Sequence, residues 1–222
     1  MDIDDRWDIW NSAAYRGVPG ACGYNCATTY HNYNLTSGTF EARLRSLGEN
    51  GPDGFSILVK AKFDAGGNPT QFYTLDFQHD GTNLYVYAWR LQSGAVLTHL
   101  GSFNLGSDIV FSNYQTYKVV VDPSATYDLI LSINNTPLVA IEELAFFDGS
   151  FGVDVIKLTE GGHSVDMDWA VITGVLSGVP PAAFGSPTLN GFSAFGLNPD
   201  GSRQVTGEES DPARRLPLIS LD

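Results

Sequence analysis

The stretch GGHSVDMDWAVITG, residues 161 to 174, sets two carboxylates, Asp166 and Asp168, two residues apart in an otherwise apolar run. In an extended chain successive side chains alternate between faces. Both aspartates are then expected to share one side with Ala170 and Ile172, leaving Val165, Met167, Trp169 and Val171 on the other. Twice the rise per residue separates the pair by about 6.8 Å along the strand. Carboxylate pairs that cleave glycosidic bonds stand roughly 5 to 9.5 Å apart. The same two groups can instead accept hydroxyls of a bound ligand, hold calcium, or coat a solvated sheet face.

A second constellation is aromatic. In NLYVYAWR, Tyr85, Tyr87 and Trp89 alternate with Leu84, Val86 and Ala88. With the small apolar set in the core, three rings stand in a row on the opposite side, followed by the polar head of Arg90. Flat ring faces stack on the C–H faces of sugars, and tyrosine and tryptophan add hydrogen bonds at their rims. The competing fate of such rings is packing under another segment. A third cluster, Trp7, Trp10, Tyr15, Tyr24, Tyr30, His31 and Tyr33, lies in non-periodic sequence that can pack over a sandwich or line a groove.

The remaining chemistry is sparse. His31, His79, His99 and His163 show no metal-ligand spacing, and His79-Asp80 is explained by the turn that Asp80-Gly81 favours. Tyr87, Arg90 and His99 are the residue types a polysaccharide lyase uses as base and charge neutraliser. Asp53, Asp64, Asp148, Asp154 and Asp166 lie near turns and suit calcium, without EF-hand spacing. Cys22 and Cys26 in GACGYNCATT can close a small disulfide ring or remain thiols, and two thiols alone make a poor zinc site. With the acceptor tripeptides at Asn34 and Asn134, the cysteine pair leads to the expectation of an extracellular or secreted protein. Nucleophile elbow, phosphate loop, zinc helix and dinucleotide fingerprint are all missing from the sequence.

The elements that must position these residues read as strands. GTFEARLRSLG alternates Phe40, Ala42 and Leu44 against Glu41, Arg43 and Arg45, as a half-exposed strand does. GFSILVKAKF is more apolar and therefore more central. QFYTLDFQ and NLYVYAWRL flank HDGT, a hairpin signal. GAVLTHLGSF, QTYKVVVDP, YDLILSIN, TPLVAIEEL, GSFGVDVIKL and HSVDMDWAVIT complete the set. Turn signals recur roughly every eight to twelve residues, as in a sandwich or jelly roll. AIEELAFFDG is the one stretch expected to form a short turn of helix. Residues 1 to 37 read as an aromatic-rich, loop-like N-terminal segment, 38 to 174 as the sandwich, and 175 to 222 as a Gly/Pro/Ser-rich extension. Phe and Leu in LNGFSAFGLN suit that extension to wrapping its own sandwich or to holding a homo-oligomer together.

Composition supports this outline. The chain has 222 residues, 12% aromatic, with 24 Gly and 11 Pro, a balance that favours all-β structure. Its formal net charge of -13 repels phosphate backbones, so a nucleic-acid partner is not expected. No apolar run is long enough for a membrane span. The acidic start MDIDDRWDIW is not a signal peptide as it stands.

The order of strands resembles the concanavalin A-like (laminin G-like) jelly rolls. FEARLRS, GFSILVKAKF, YTLDFQHDGTNLYVYAW, YKVVVDPSATYDLILSINNTPLVA and GSFGVDVIKLTEGGHSVDMDWAVIT carry the resemblance, over about residues 38 to 173. It implies two packed antiparallel sheets, one concave, and frequent carbohydrate binding in lectins, binding modules, laminarinases and lyases. Fold does not fix function among these. The laminarinase-like members carry Glu-x-Asp-x-x-Glu on one strand. Here the corresponding positions are Asp166, Asp168 and Val171, so the second glutamate is missing and hydrolysis by that route is disfavoured. The expectation is an all-β, two-sheet antiparallel sandwich that binds a glycan. Tyr85, Tyr87 and Trp89 would stack on it, and Arg90, Asp166 and Asp168 would hydrogen-bond to it. The alternatives are a hydrolase or lyase on the same fold, and an assembly protein acting through residues 175 to 222.

Overall fold

The computed structural model describes residues 7–10, 14–17, 28–30, 33–47, 54–65, 69–92, 96–142, 145–156, 163–177, 194–197, 203–206 and 219–220. Every regular element among them is a strand, numbered here in chain order. None of the described residues forms a helix long and apolar enough to cross a membrane. The first sheet runs β1 (Trp7–Trp10), β2 (Ala14–Gly17), β13 (Ser164–Leu176), β4 (Leu35–Leu47), β9 (Gln115–Val121), β10 (Leu129–Ile133) and β11 (Thr136–Ile141). A short β16 (Ile219–Ser220) pairs in parallel with β13. The second sheet runs β3 (Thr28–Tyr30), β12 (Ser150–Ile156), β5 (Gly54–Phe63), β6 (Pro69–His79), β7 (Leu84–Gln92) and β8 (Val96–Gly106). Finally, β14 (Ala194–Leu197) and β15 (Arg203–Thr206) form a separate hairpin.

Period-two patterning decides which faces meet. Phe40, Ala42 and Leu44 of β4 and Tyr117, Val119 and Val121 of β9 face Phe55, Ile57 and Val59 of β5 and Tyr73, Leu75 and Phe77 of β6 in one buried core. Rings interlock across the gap: Tyr117 stands edge-on to Phe55 at 5.1 Å and to Phe77 at 5.0 Å. The expected hairpins form. Asp80 closes the β6–β7 turn by accepting the Thr82 and Asn83 amides at 2.9 and 2.7 Å. Asn134 and Asn135 both take positive φ, 50° and 67°, at the β10–β11 tip.

Three expectations change. Asp168 is a bulge: Met167 pairs with Leu44 and Trp169 with Arg43, so one extra residue sits on β13. Alternation therefore restarts after it, and Ala170 and Ile172 join Val165 and Met167 in the core instead of sharing a face with the aspartates. Residues 1 to 37 are not simply loop-like, because the β-favouring runs at Trp7–Trp10, Ala14–Gly17 and Thr28–Tyr30 all pair as strands. AIEELAFFDG holds no helix among its described residues. Its Ile141 ends β11, and its Gly149 bridges to Leu35.

Candidate functional site

The six-stranded sheet is built so that its outward face, too, carries ordered chemistry. Its three middle strands, β12, β5 and β6, are buried on both sides along most of their length. Register lines up one row across that face: Thr28, Asp154, Ser56, Asp76 and Tyr87 are successive cross-strand partners, with Ser102 next on β8. The row is hydrogen-bonded within itself. Thr28 Oγ1 donates to Asp154 Oδ1 at 2.7 Å, and Ser56 Oγ donates to Asp76 Oδ1 at 2.7 Å. The Thr74 hydroxyl donates to the same Asp76 oxygen.

Asp76 is 3% exposed, and burial, offset in part by the Thr74 and Ser56 hydroxyls, pushes its pKa up to about 6. Both hydroxyls serve Oδ1. Oδ2 receives no donor from the described residues. Asp154 stands two strands away, about 9.5 Å at the backbone from the usual strand spacing.

The aromatic row flanks this carboxylate. Tyr85, Tyr87 and Trp89 are all half-exposed on the outward face, while Leu84, Val86 and Ala88 are buried behind them. The Tyr85 and Tyr87 rings stack with centroids 6.1 Å apart. Trp89 leans on His99 at 4.5 Å, and His99 Nε2 lies 2.8 Å from Ser102 Oγ. The Asp80 carboxylate beside Tyr85 holds that phenol above its ordinary pKa. On the other side of the polar row the same face turns apolar. Leu58, Ala61 and Phe72 cluster with Phe63 and Leu91, and Tyr30 stacks on Phe63 at 4.2 Å. Gly152 lets β3 come this close, because a Cβ there would sit 2.6 Å from the Thr29 carbonyl oxygen and 2.8 Å from Tyr30 Cβ.

The other residues singled out from sequence go elsewhere. Arg90 pairs with Tyr73 and shares its inward face, so it does not join the ring row. Asp166 and Asp168 lie on the first sheet. Asp166, fully buried, takes Arg45 Nε at 2.9 Å and Nη2 at 2.7 Å, and Asp168 takes Arg43 at 2.6 Å. Both guanidiniums stack on Tyr114, 4.9 and 4.4 Å from its centroid. This is an ion-pair array on the outward face of one sheet, and the rings are on the outward face of the other. The candidate calcium carboxylates are likewise dispersed. Asp148 is bound by Lys62 at 2.6 Å, Asp154 is on β12, and Asp166 is on β13. Among the described residues no three His, Cys, Asp or Glu gather where a metal could be held. Asp53, Cys22 and Cys26 lie outside the described residues.

A concavity of about 590 Å³ opens at the end of the sandwich between Thr36, Ser37, Asp122, Ser124, Asp128 and Phe147. The Lys60 ammonium lies beneath it, donating to the backbone carbonyls of Leu35 at 3.0 Å and Phe147 at 2.9 Å, and to that of Thr36. Burial brings its pKa down to about 8, against the pull of Asp148 and Asp128.

No protein-family model and no curated protein matches the sequence. Solved structures do. The carbohydrate-binding module CBM66 from Bacillus subtilis aligns with TM-score 0.55 and 12% identity, over 79% of this chain and 92% of that one. A legume lectin-like domain from Entamoeba histolytica aligns with TM-score 0.55 and 10% identity, over 78% and 92%. A β-1,3-1,4-glucanase (lichenase) from a mouse hindgut metagenome aligns with TM-score 0.54 and 8% identity, over 75% and 81%. Two facing antiparallel sheets with this strand order and these likenesses make the chain a concanavalin A-like jelly roll in fold.

Proposed function

We propose that the protein binds a glycan on the outward face of its six-stranded sheet. The observation that carries this reading is the juxtaposition of the half-exposed rings Tyr85, Tyr87 and Trp89 with the Asp76 carboxylate, whose Oδ2 no described residue donates to, across the β6–β7 pair. Rings supply stacking surfaces for sugar C–H groups, and a carboxylate oxygen accepts sugar hydroxyls. A solved structure of like fold that is named for carbohydrate binding supports it. The test is affinity electrophoresis through polysaccharide gels with wild type, Trp89→Ala and Tyr87→Ala. Retardation in at least one gel that each alanine variant weakens at least tenfold supports the reading. Binding that survives loss of Trp89 moves the site elsewhere.

Hydrolysis is the second reading, and one observation favours it. Asp76, ionising near pH 6, and Asp154, two strands away, form a carboxylate pair at a separation open to inverting chemistry. Reducing-end release from a polysaccharide panel, lost in Asp76→Asn and in Asp154→Asn, would establish it. An inert wild type on that panel removes it.

A further inference from the structure

We propose that this face selects glycans free of carboxylate and sulfate groups, with Asp76 Oδ2 accepting an O–H or N–H from the ligand. The inference rests on the glycan-binding reading and adds the class of sugar.

Charge geometry argues for it. Asp76 and Asp154 occupy the middle of the outward face. The six strands hold three described lysine or arginine residues, and all are directed or bound elsewhere, while the imidazole of His99 stands beside Trp89. Lys60 donates to the Leu35, Thr36 and Phe147 carbonyls, Lys62 pairs with Asp148, and Arg90 lies on the inward face beside Tyr73. A uronate or sulfated sugar stacked on Trp89 or Tyr87 would bring an anion next to Asp76 with no described lysine or arginine to meet it. Like charges at that range in a desolvated setting repel strongly. A hydroxyl or ammonium instead completes the half-satisfied carboxylate.

Protonation adds a signature. The groups packed around Asp76 are Ser56 on β5, Thr74 and Gln78 on β6, and Tyr85, Tyr87 and Trp89 on β7. Asp154 lies beyond β5, and His99 lies beyond Trp89. The ionised form is the stronger acceptor for a ligand donor. Binding of a donor-bearing sugar should therefore tighten as pH rises from 5 to 7.5, through the range in which Asp76 ionises.

The experiment uses the full chain on a glycan array carrying neutral, amine-bearing, uronate and sulfated oligosaccharides, followed by titration of the best binder at pH 5, 6 and 7.5. Expected are binders confined to the neutral and amine-bearing sets and an affinity gain of at least fivefold from pH 5 to 7.5. Asp76→Asn should flatten that gain, and His99→Gln should retain it. The array also separates neutral from amine-bearing ligands. Binding to uronate or sulfated glycans within twofold of the best neutral one overturns the inference and leaves glycan binding standing. A pH gain that persists in Asp76→Asn overturns the role given to this carboxylate. An array with no binder in any class removes the underlying reading itself.

Discussion

Asp76 and Tyr87 are direct cross-strand partners on β6 and β7, and both face outward from the sandwich. One is a buried carboxylate with an oxygen that no described residue donates to, the other a half-exposed ring. A purely structural position would not favour an aspartate there. The native state holds its proton up to about pH 6, whereas the unfolded chain releases it near 3.8. Stability from this group is thus fully present below about pH 4 and is lost as pH rises through 6. That difference corresponds to about 3 kcal/mol at neutral pH.

Asp76→Asn should therefore stabilise the protein at pH 7 by about 1–3 kcal/mol while weakening glycan binding. Urea unfolding at pH 4.5 and pH 7 checks the first part, since the gain should shrink at the lower pH. A variant destabilised at pH 7 would mean that the carboxylate is a structural hub, not a ligand contact.

Arg45 and Asp166 make the contrasting pair. Asp166 is fully buried and takes two donors from one guanidinium, so Arg45→Ala leaves a buried carboxylate short of both. The expected loss is about 3 kcal/mol in urea unfolding. The Arg43–Asp168 pair, with side chains 44% and 32% exposed, should lose under about 1 kcal/mol in Arg43→Ala. Neither change should alter glycan affinity, because the array lies on the other sheet. A binding defect in Arg45→Ala at matched stability would place a ligand on that face.

Much of this was legible beforehand. Strong alternation in β4 and β7 marked inward and outward sides correctly, and the Asp80-Gly81 tip marked the hairpin. What alternation could not show is a bulge. One extra residue at Asp168 reverses every face after it, and no residue type announces it. Asp76 was findable. The hairpin pairs His79 with Leu84, and counting back places Asp76 opposite Tyr87. Asp154 alternates with Val153 and Val155, but no hairpin joins β12 to β6, so no register counted along the sequence places it in the row of Asp76. Arg90 follows the rings in sequence, yet the same period of two sends it to the opposite face.

Lys60 joins two elements that no ladder connects directly. Its ammonium, 3% exposed, gathers carbonyls from the start of β4 and from the Phe147 turn, and its own φ of 54° at a bulge of β5 aims it there. Lys60→Met keeps the stem and removes the ammonium from three carbonyls, of which that of Leu35 keeps the Gly149 amide, for a loss of about 3 kcal/mol. Urea unfolding gives the size. Amide exchange gives the place: Leu35 and Gly149, whose amides bond each other's carbonyls at 2.9 and 3.2 Å, should lose protection before β6 and β7 do. Uniform loss of protection across both sheets would show that Lys60 supports the whole core and not this junction.

Tyr117 tests the interior itself. Its ring is wedged edge-on between Phe55 and Phe77, but its hydroxyl is buried with no hydrogen-bond partner, and burial drives its pKa far upward. A hydroxyl desolvated without compensation costs free energy that phenylalanine avoids, while the ring contacts remain. Tyr117→Phe should stabilise the fold by about 1 kcal/mol, and Tyr117→Leu, which loses the edge-on contacts, should destabilise it by about 2 kcal/mol or more. The opposite signs separate the polar atom from the ring. A Tyr117→Phe variant less stable than wild type would require a partner for that hydroxyl, and a buried water bridging it would be the first thing to seek in a crystal structure.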